Sequence, residues 1–139
     1  MPVFDGNQVE LIAEAQQFID RLVADIDAAT HHVHLLFYIY EDDNVGRKIT
    51  DALLRAAKRG IHCRMLLDAL GSRKMLKSRR LELSQAGIEI QDALPIVSWR
   101  RFLGRVDWRN HRKIVVIDGH IAYTGSQNIV DPSYGHSDP

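Results

Sequence analysis

A chain of 139 residues, 45% hydrophobic and 26% charged, is long enough for one globular domain with a buried core and leaves little room for a second. Its formal net charge is zero, and its single cysteine, Cys63, excludes an intrachain disulfide. The charges are unevenly spread, with three basic and nine acidic side chains in residues 1–50 against fifteen and nine in residues 51–139. A basic second part suits an anionic partner, although a solvated basic face is the commoner cause of such an excess. Nothing approaches the roughly 18 consecutive apolar residues of a membrane span, and the N-terminus has no signal-peptide pattern, so the chain as given is expected to be soluble.

In chain order, apolar residues at Val9, Ile12, Ala15, Phe18 or Ile19, Leu22 and Ile26 predict an amphipathic helix from Asn7 to about Ala29. Val33 to Tyr40 is nearly continuous in apolar and aromatic residues, as in a central strand buried on both sides. Glu41-Asp42-Asp43-Asn44 supplies a polar loop and a cap for a helix through Val45, Ile49, Leu53 and Ala56 that stops at Gly60. Ile61 to Leu67 is a strand in which Cys63 is read as inert, and Asp68-Ala69-Leu70-Gly71-Ser72 is a strand-to-helix turn. Its glycine and serine could hold an anion at a helix N-terminus, but most such turns only cap their helix. A helix from Arg73 to Ala86 and a short strand, Ile88-Glu89-Ile90, follow. The basic run Arg73 to Arg80 could attract anionic lipid, though most such helical faces are simply solvated. His31-His32-Val33-His34 is read as a polar strand edge rather than a metal site, because no cysteine stands at metal-ligand spacing.

Residues from Asp92 to Asn110 lack a clear period and mix aromatic with basic side chains. They read equally well as a lip with Trp99, Phe102 and Trp108 at an apolar boundary, or as a loop whose tryptophans tuck into the domain. The same pattern would also serve single-stranded nucleic acid. Ile114 to Ile117, the turn Asp118-Gly119, and Ile121-Ala122-Tyr123 predict a β-hairpin that should lie beside the central strand. Alternation of strands and helices with short connections predicts an α/β sandwich, its sheet mainly parallel until the hairpin adds antiparallel pairing.

The hairpin carries the chemistry. Side chains alternate along a strand, so His111 and Lys113 project together, as do Ser126 and Asn128 if the extended conformation continues. A neutral imidazole is a nucleophile near pH 7, while an ammonium, a hydroxyl and an amide can hold phosphoryl oxygens as charge builds on them. Phosphoryl transfer through a phosphohistidine is the expected reaction. It needs no metal or other cofactor, since these donors can supply the charge stabilisation. Scattered polar residues on a hairpin are common, and Gly-Ser-x-Asn alone would be read as turn chemistry. The whole set in order is what carries the functional reading.

His-x-Lys-x4-Asp (111–118) followed by Gly-Ser-x-Asn (125–128) resembles the HKD motif of the phospholipase D superfamily. Residues from Asn110 to Tyr134 look like the first such motif of bacterial cardiolipin synthases, so the chain is read as one phospholipase D-like domain over 1–139 with its motif region at 106–133. The resemblance implies His111 as nucleophile or general-acid counterpart, Lys113, Ser126 and Asn128 as phosphate ligands, and Asp118 grouped with the catalytic residues as a structural and electrostatic support. Asp118 would face away from His111 and Lys113 on a regular strand. Tyr38 to Asp43 likewise resembles the strand end preceding the first site, making Glu41 to Asp43 polar neighbours without an assigned role.

Superfamily sites use two motifs, whereas this chain has one, since no other histidine is followed by Lys and Asp at the required spacing. The resemblance therefore implies a partner motif, from a missing C-terminal half or from a homodimer mate. It also implies phosphatidylglycerol as substrate and a membrane surface for the parent enzyme, whose N-terminal membrane helices are not in this sequence, as expected of an excised fragment. Phosphatidyl transfer with release of glycerol is the leading expectation. The alternatives are a homodimeric single-motif nuclease and a fragment that binds phosphate or anionic lipid without turnover.

Overall fold

The computed structural model describes residues 5–93 and 111–133. The elements are α1 (Ala15–Ala28), β1 (His32–Phe37), α2 (Asn44–Lys58), β2 (His62–Leu67), α3 (Arg73–Gln85), β3 (Glu89–Asp92), β4 (Ile114–Ile117) and β5 (Ile121–Thr124). Their strands form one sheet in the order β3-β2-β1-β4-β5, which puts β1 at the centre and beside the hairpin, as expected. β1 and β2, and β2 and β3, pair in parallel through helical crossovers, whereas β4 is antiparallel to both β1 and β5. The α/β class and the mixed sheet are those the alternation predicts.

Every second residue of the inner strands turns to one face. Val33, Leu35 and Phe37 of β1, Met65 and Leu67 of β2, and Val115 and Ile117 of β4 are buried there under Leu22 and Ile26 of α1, Ile49 and Leu53 of α2, and Met75 and Leu83 of α3. The expectation of a central strand buried on both sides, and so of a sheet sandwiched by helices, is met on this face alone among the described residues. His32, His34 and Leu36 stay half-exposed on the other. Crossovers that step in one direction, β1 to β2 to β3, place their helices on the same side when they share a hand. The face that the described residues leave uncovered is an open concavity of 460 Å³ lined in part by His34, Leu36, Arg64, Leu66, Ile114 and Val116.

α1 begins at Ala15, eight residues after the expected start at Asn7, and Val9 and Leu11 are exposed. A short helix persists where its apolar stripe meets a partner, and here that stripe is Ile19, Leu22 and Ile26. α2 starts as predicted. The Asp43 carboxylate caps it by accepting from Gly46 N at 2.8 Å. Cys63 is buried, and desolvation pushes its thiol up to about 11, which suits an inert position.

The β4–β5 turn is closed by His120 N donating to Ile117 O at 3.0 Å, with Asp118 and Gly119 both at positive φ (54° and 70°). Aspartate tolerates that conformation better than most residues. Its carboxylate also reaches the turn between α1 and β1, accepting from Thr30 N (2.9 Å), Thr30 Oγ1 (3.1 Å), His31 N (2.7 Å) and His32 N (3.0 Å). The bond from Thr30 N, aided by those from His32 and His31, holds the Asp118 carboxyl well below the usual carboxylate range against the opposing effect of desolvation.

A group whose folded pKa is depressed adds stability above its unfolded value, near 4, and loses it as pH falls below that. Asp118→Asn is therefore expected to melt several degrees below wild type at pH 7, with the gap narrowing as pH drops below about 4. Thermal melts of both proteins across that range check this, and a gap that does not depend on pH would refute it.

Candidate active site

His111-Arg112-Lys113 leads into β4, and the pairing of Leu36 with Ile114 lays this entry alongside the end of β1. The Tyr38 ring lies against the His111 imidazole, with centroids 4.1 Å apart and planes inclined by 33°. His111 is exposed, so its ring is open to an approaching substrate. Half-buried Lys113 donates from Nζ to the His111 carbonyl oxygen at 2.6 Å. Two of the three ammonium N–H groups remain for an anion.

The return arm arrives at the same place. β5 pairs with β4 as far as Ile114 opposite Thr124, which carries Gly125 and exposed Ser126 to the Lys113 end of the hairpin. Asn128 Oδ1 then accepts from Ile39 N at 3.2 Å, and the main chain is stitched on by Ile129 N to Ile39 O (3.2 Å) and Glu41 N to Ile129 O (3.0 Å). Ile129 forms a parallel bridge with Tyr40, and both are fully buried. Since Ile39 N–H needs an acceptor, the Asn128 oxygen is fixed and its amino group faces elsewhere as a donor. Consecutive residues at one strand end, Tyr38 and Ile39, thus hold His111 and Asn128.

Asp118 does not join them. All four residues of β4 separate it from Lys113, roughly 16 Å at strand rise. Its carboxylate is occupied by the amides of Thr30 to His32, at the far end of the hairpin, a position suited to the structural and electrostatic support expected of it.

The remaining sequence candidates sort by their contacts. Ser72 is buried, donates from Oγ to Tyr38 O at 3.0 Å and accepts from Tyr40 N at 3.1 Å, so it secures the strand end instead of offering an anion site. Asp43 does carry a role that the sequence left unassigned. Besides capping α2, it accepts from Asp131 N at 2.6 Å and so tethers the segment that bears Asn128.

Asp42 takes hydrogen bonds from Ser78 and Arg47 and lies near Arg79. Burial pushes its carboxyl up, but those bonds and the arginine charges leave it below its ordinary value. Within the basic run, Arg79 and Arg80 are paired with Asp42 and Asp92. His32 and His34 stack at 4.6 Å on the uncovered sheet face, and no cluster among the described residues is arranged to hold a metal ion. The aromatic and basic lip, with Trp99, Phe102 and Trp108, lies outside the described residues. No helix among the described residues is long and apolar enough to cross a membrane.

Sequence reasoning named His111, Lys113, Ser126 and Asn128, and it missed Tyr38 and Ser72 as their supports. The usable signal was an aromatic at the end of β1 together with a Gly-Ser pair at the end of β2, two strands that the alternation already makes neighbours.

Comparison with known proteins follows the same lines. Residues 22–138 match the family model described as "Cardiolipin synthase, PLD-like domain". Cardiolipin synthase A of Escherichia coli K12 (DH10B) is 43% identical over 134 residues, which are 96% of this chain and 28% of that protein. The chain therefore spans under a third of the length of such relatives. Among solved structures, NucT from Helicobacter pylori superposes with a TM-score of 0.62 at 19% identity, over 83% of this chain and 69% of that one. Nuc from Salmonella typhimurium, a phospholipase D family member, gives 0.58 at 21% identity, over 80% and 64%. At those identities the two structures establish a shared fold.

Proposed function

The chain belongs to the family of cardiolipin synthase PLD-like domains, and from that premise we propose that it is the first catalytic half of a cardiolipin synthase. It would move a phosphatidyl group from one phosphatidylglycerol to another and release glycerol, at the membrane surface where both lipids reside. The observation that carries this reading is the meeting of His111 and Asn128 on consecutive residues at the end of β1, with Lys113 at the same end of the hairpin. A phosphodiester held there by Lys113, Ser126 and Asn128 would sit beside an accessible imidazole.

The chemistry requires two imidazoles. One gives its nitrogen lone pair to phosphorus as the P–O bond to the departing glycerol breaks, and the other passes a proton to that oxygen. The second imidazole, now neutral, then takes the proton of the acceptor hydroxyl as the new O–P bond forms and the N–P bond breaks. His111 supplies one of the pair. The other comes from a second motif, in a C-terminal half or a second copy of the chain.

Joining this chain to a C-terminal half that bears a second motif, and supplying vesicles of phosphatidylglycerol, should yield cardiolipin and glycerol in equal amounts. Hydrolysis to phosphatidic acid alone would overturn the transferase assignment. Activity of the unjoined chain on DNA as a dimer would favour the nuclease instead.

A further inference from the structure

We propose that Tyr38 is the positioning residue of His111, its ring setting the plane of the imidazole so that the in-plane nitrogen lone pair points at phosphorus. The inference rests on the phosphohistidine reading above and adds to it a residue from outside the motif. His111 precedes β4 and is exposed, so the sheet ladder does not itself fix its ring. The Tyr38 ring, 4.1 Å away and inclined by 33°, covers one imidazole face. Both ring nitrogens have their lone pair or N–H in the imidazole plane, so a face contact restrains the ring without occupying either of them.

Tyr38 is itself held firmly. Its carbonyl accepts from Ser72 Oγ, Tyr40 N donates back to that same oxygen, and Phe37 O accepts from Asp68 N at 3.2 Å. The turn after β2 also closes on it. A Cβ on Gly71 would stand 2.4 Å from the Tyr38 carbonyl oxygen and 3.4 Å from ring carbon Cε2, so only glycine lets the turn come this near. The Gly71-Ser72 pair thus acts through Tyr38 on His111. An electron-rich ring face also favours the positive charge that the imidazole gains on phosphorylation. Both effects require an aromatic ring at position 38, and neither requires its hydroxyl.

The test uses the chain labelled with ¹³C-histidine, the His111 ring resonances being identified by their loss in His111→Gln. In wild type and Tyr38→Phe these ring protons should lie upfield, within the shielding cone of the aromatic ring; in Tyr38→Leu they should return to ordinary values. In the active assembly, whether two halves or two copies, Tyr38→Phe should keep wild-type kcat within about threefold. Tyr38→Leu should lose about 10- to 100-fold in kcat with KM little changed.

Unshifted His111 resonances in the wild-type chain would overturn the proposal without any variant having to fold. So would a Tyr38→Leu enzyme with undiminished kcat, or one altered in KM alone. If His111→Gln kept full activity, the phosphohistidine reading would fall instead, a result separate from where the ring protons resonate.

Discussion

His111→Ala is expected to lower phosphatidyl transfer by at least about 10³-fold in the active assembly while leaving lipid binding within a few-fold of wild type. The asymmetry follows from the division of labour at the end of β1. In the proposed site Lys113, Ser126 and Asn128 would supply the donors for phosphoryl oxygens, and neither Lys113 nor Asn128 depends on the imidazole for its place. Asn128 is fixed by Ile39 and Lys113 by the main-chain carbonyl of residue 111, which alanine retains. Rapid acid-free quenching with lipid labelled at phosphorus separates the two roles open to His111. As nucleophile, its loss abolishes labelled protein.

As general acid, its loss instead slows departure of an alkoxide. A phosphodiester with a p-nitrophenolate leaving group, which needs no proton, would then recover much of the rate. A variant that transferred glycerophospholipid at the wild-type rate would remove the chemistry from this hairpin altogether.

The second large effect is on folding. Gly46→Ala should destabilise the domain by about 3 kcal/mol or more, because the added Cβ would lie 1.7 Å from the Glu41 carbonyl oxygen and 2.8 Å from its carbon. A backbone carbonyl cannot rotate out of the way as a side chain can. Relief would require the loop from Glu41 to Asp43 to move, and with it the Asp43 cap on α2, the Asp131 tether and the bond from Glu41 N to Ile129 O.

Gly119→Ala is the informative contrast, since its φ of 70° costs a side chain something but no atom lies within 4 Å of the new carbon. That change should cost only about 1 kcal/mol. Urea titrations of the two variants rank them. Equal midpoints would show that the loop at Glu41 yields freely and that the close approach has no energetic consequence.

The hairpin and the four site candidates on its arms were legible because their signals are local. An Asp-Gly turn between β-branched runs specifies the reversal, and His111, Lys113, Ser126 and Asn128 stand at fixed offsets around it. The same holds for α2, whose cap and stop lie within its own ends. What was not legible depends on partners far along the chain. Tyr38 meets His111, Asp43 meets Asp131 and Asp118 meets Thr30 across long sequence separations, and no periodicity encodes such pairs. The start of α1 was misplaced for a related reason. The apolar spacing of residues 7–14 is helical, but no sheet surface lies under Val9 and Leu11 to reward it.

The Asp118 anchor bears on the reaction proposed for this hairpin. The hairpin is tied at its His111 and Asn128 end to the end of β1 and at its opposite tip to the amides of Thr30 to His32, which leaves little lever arm on which to rock. A ribbon clamped at both extremities behaves as an anvil. Under the reaction proposed above, the travelling, turning and withdrawing during each cycle would then fall to the substrate headgroups rather than to this hairpin.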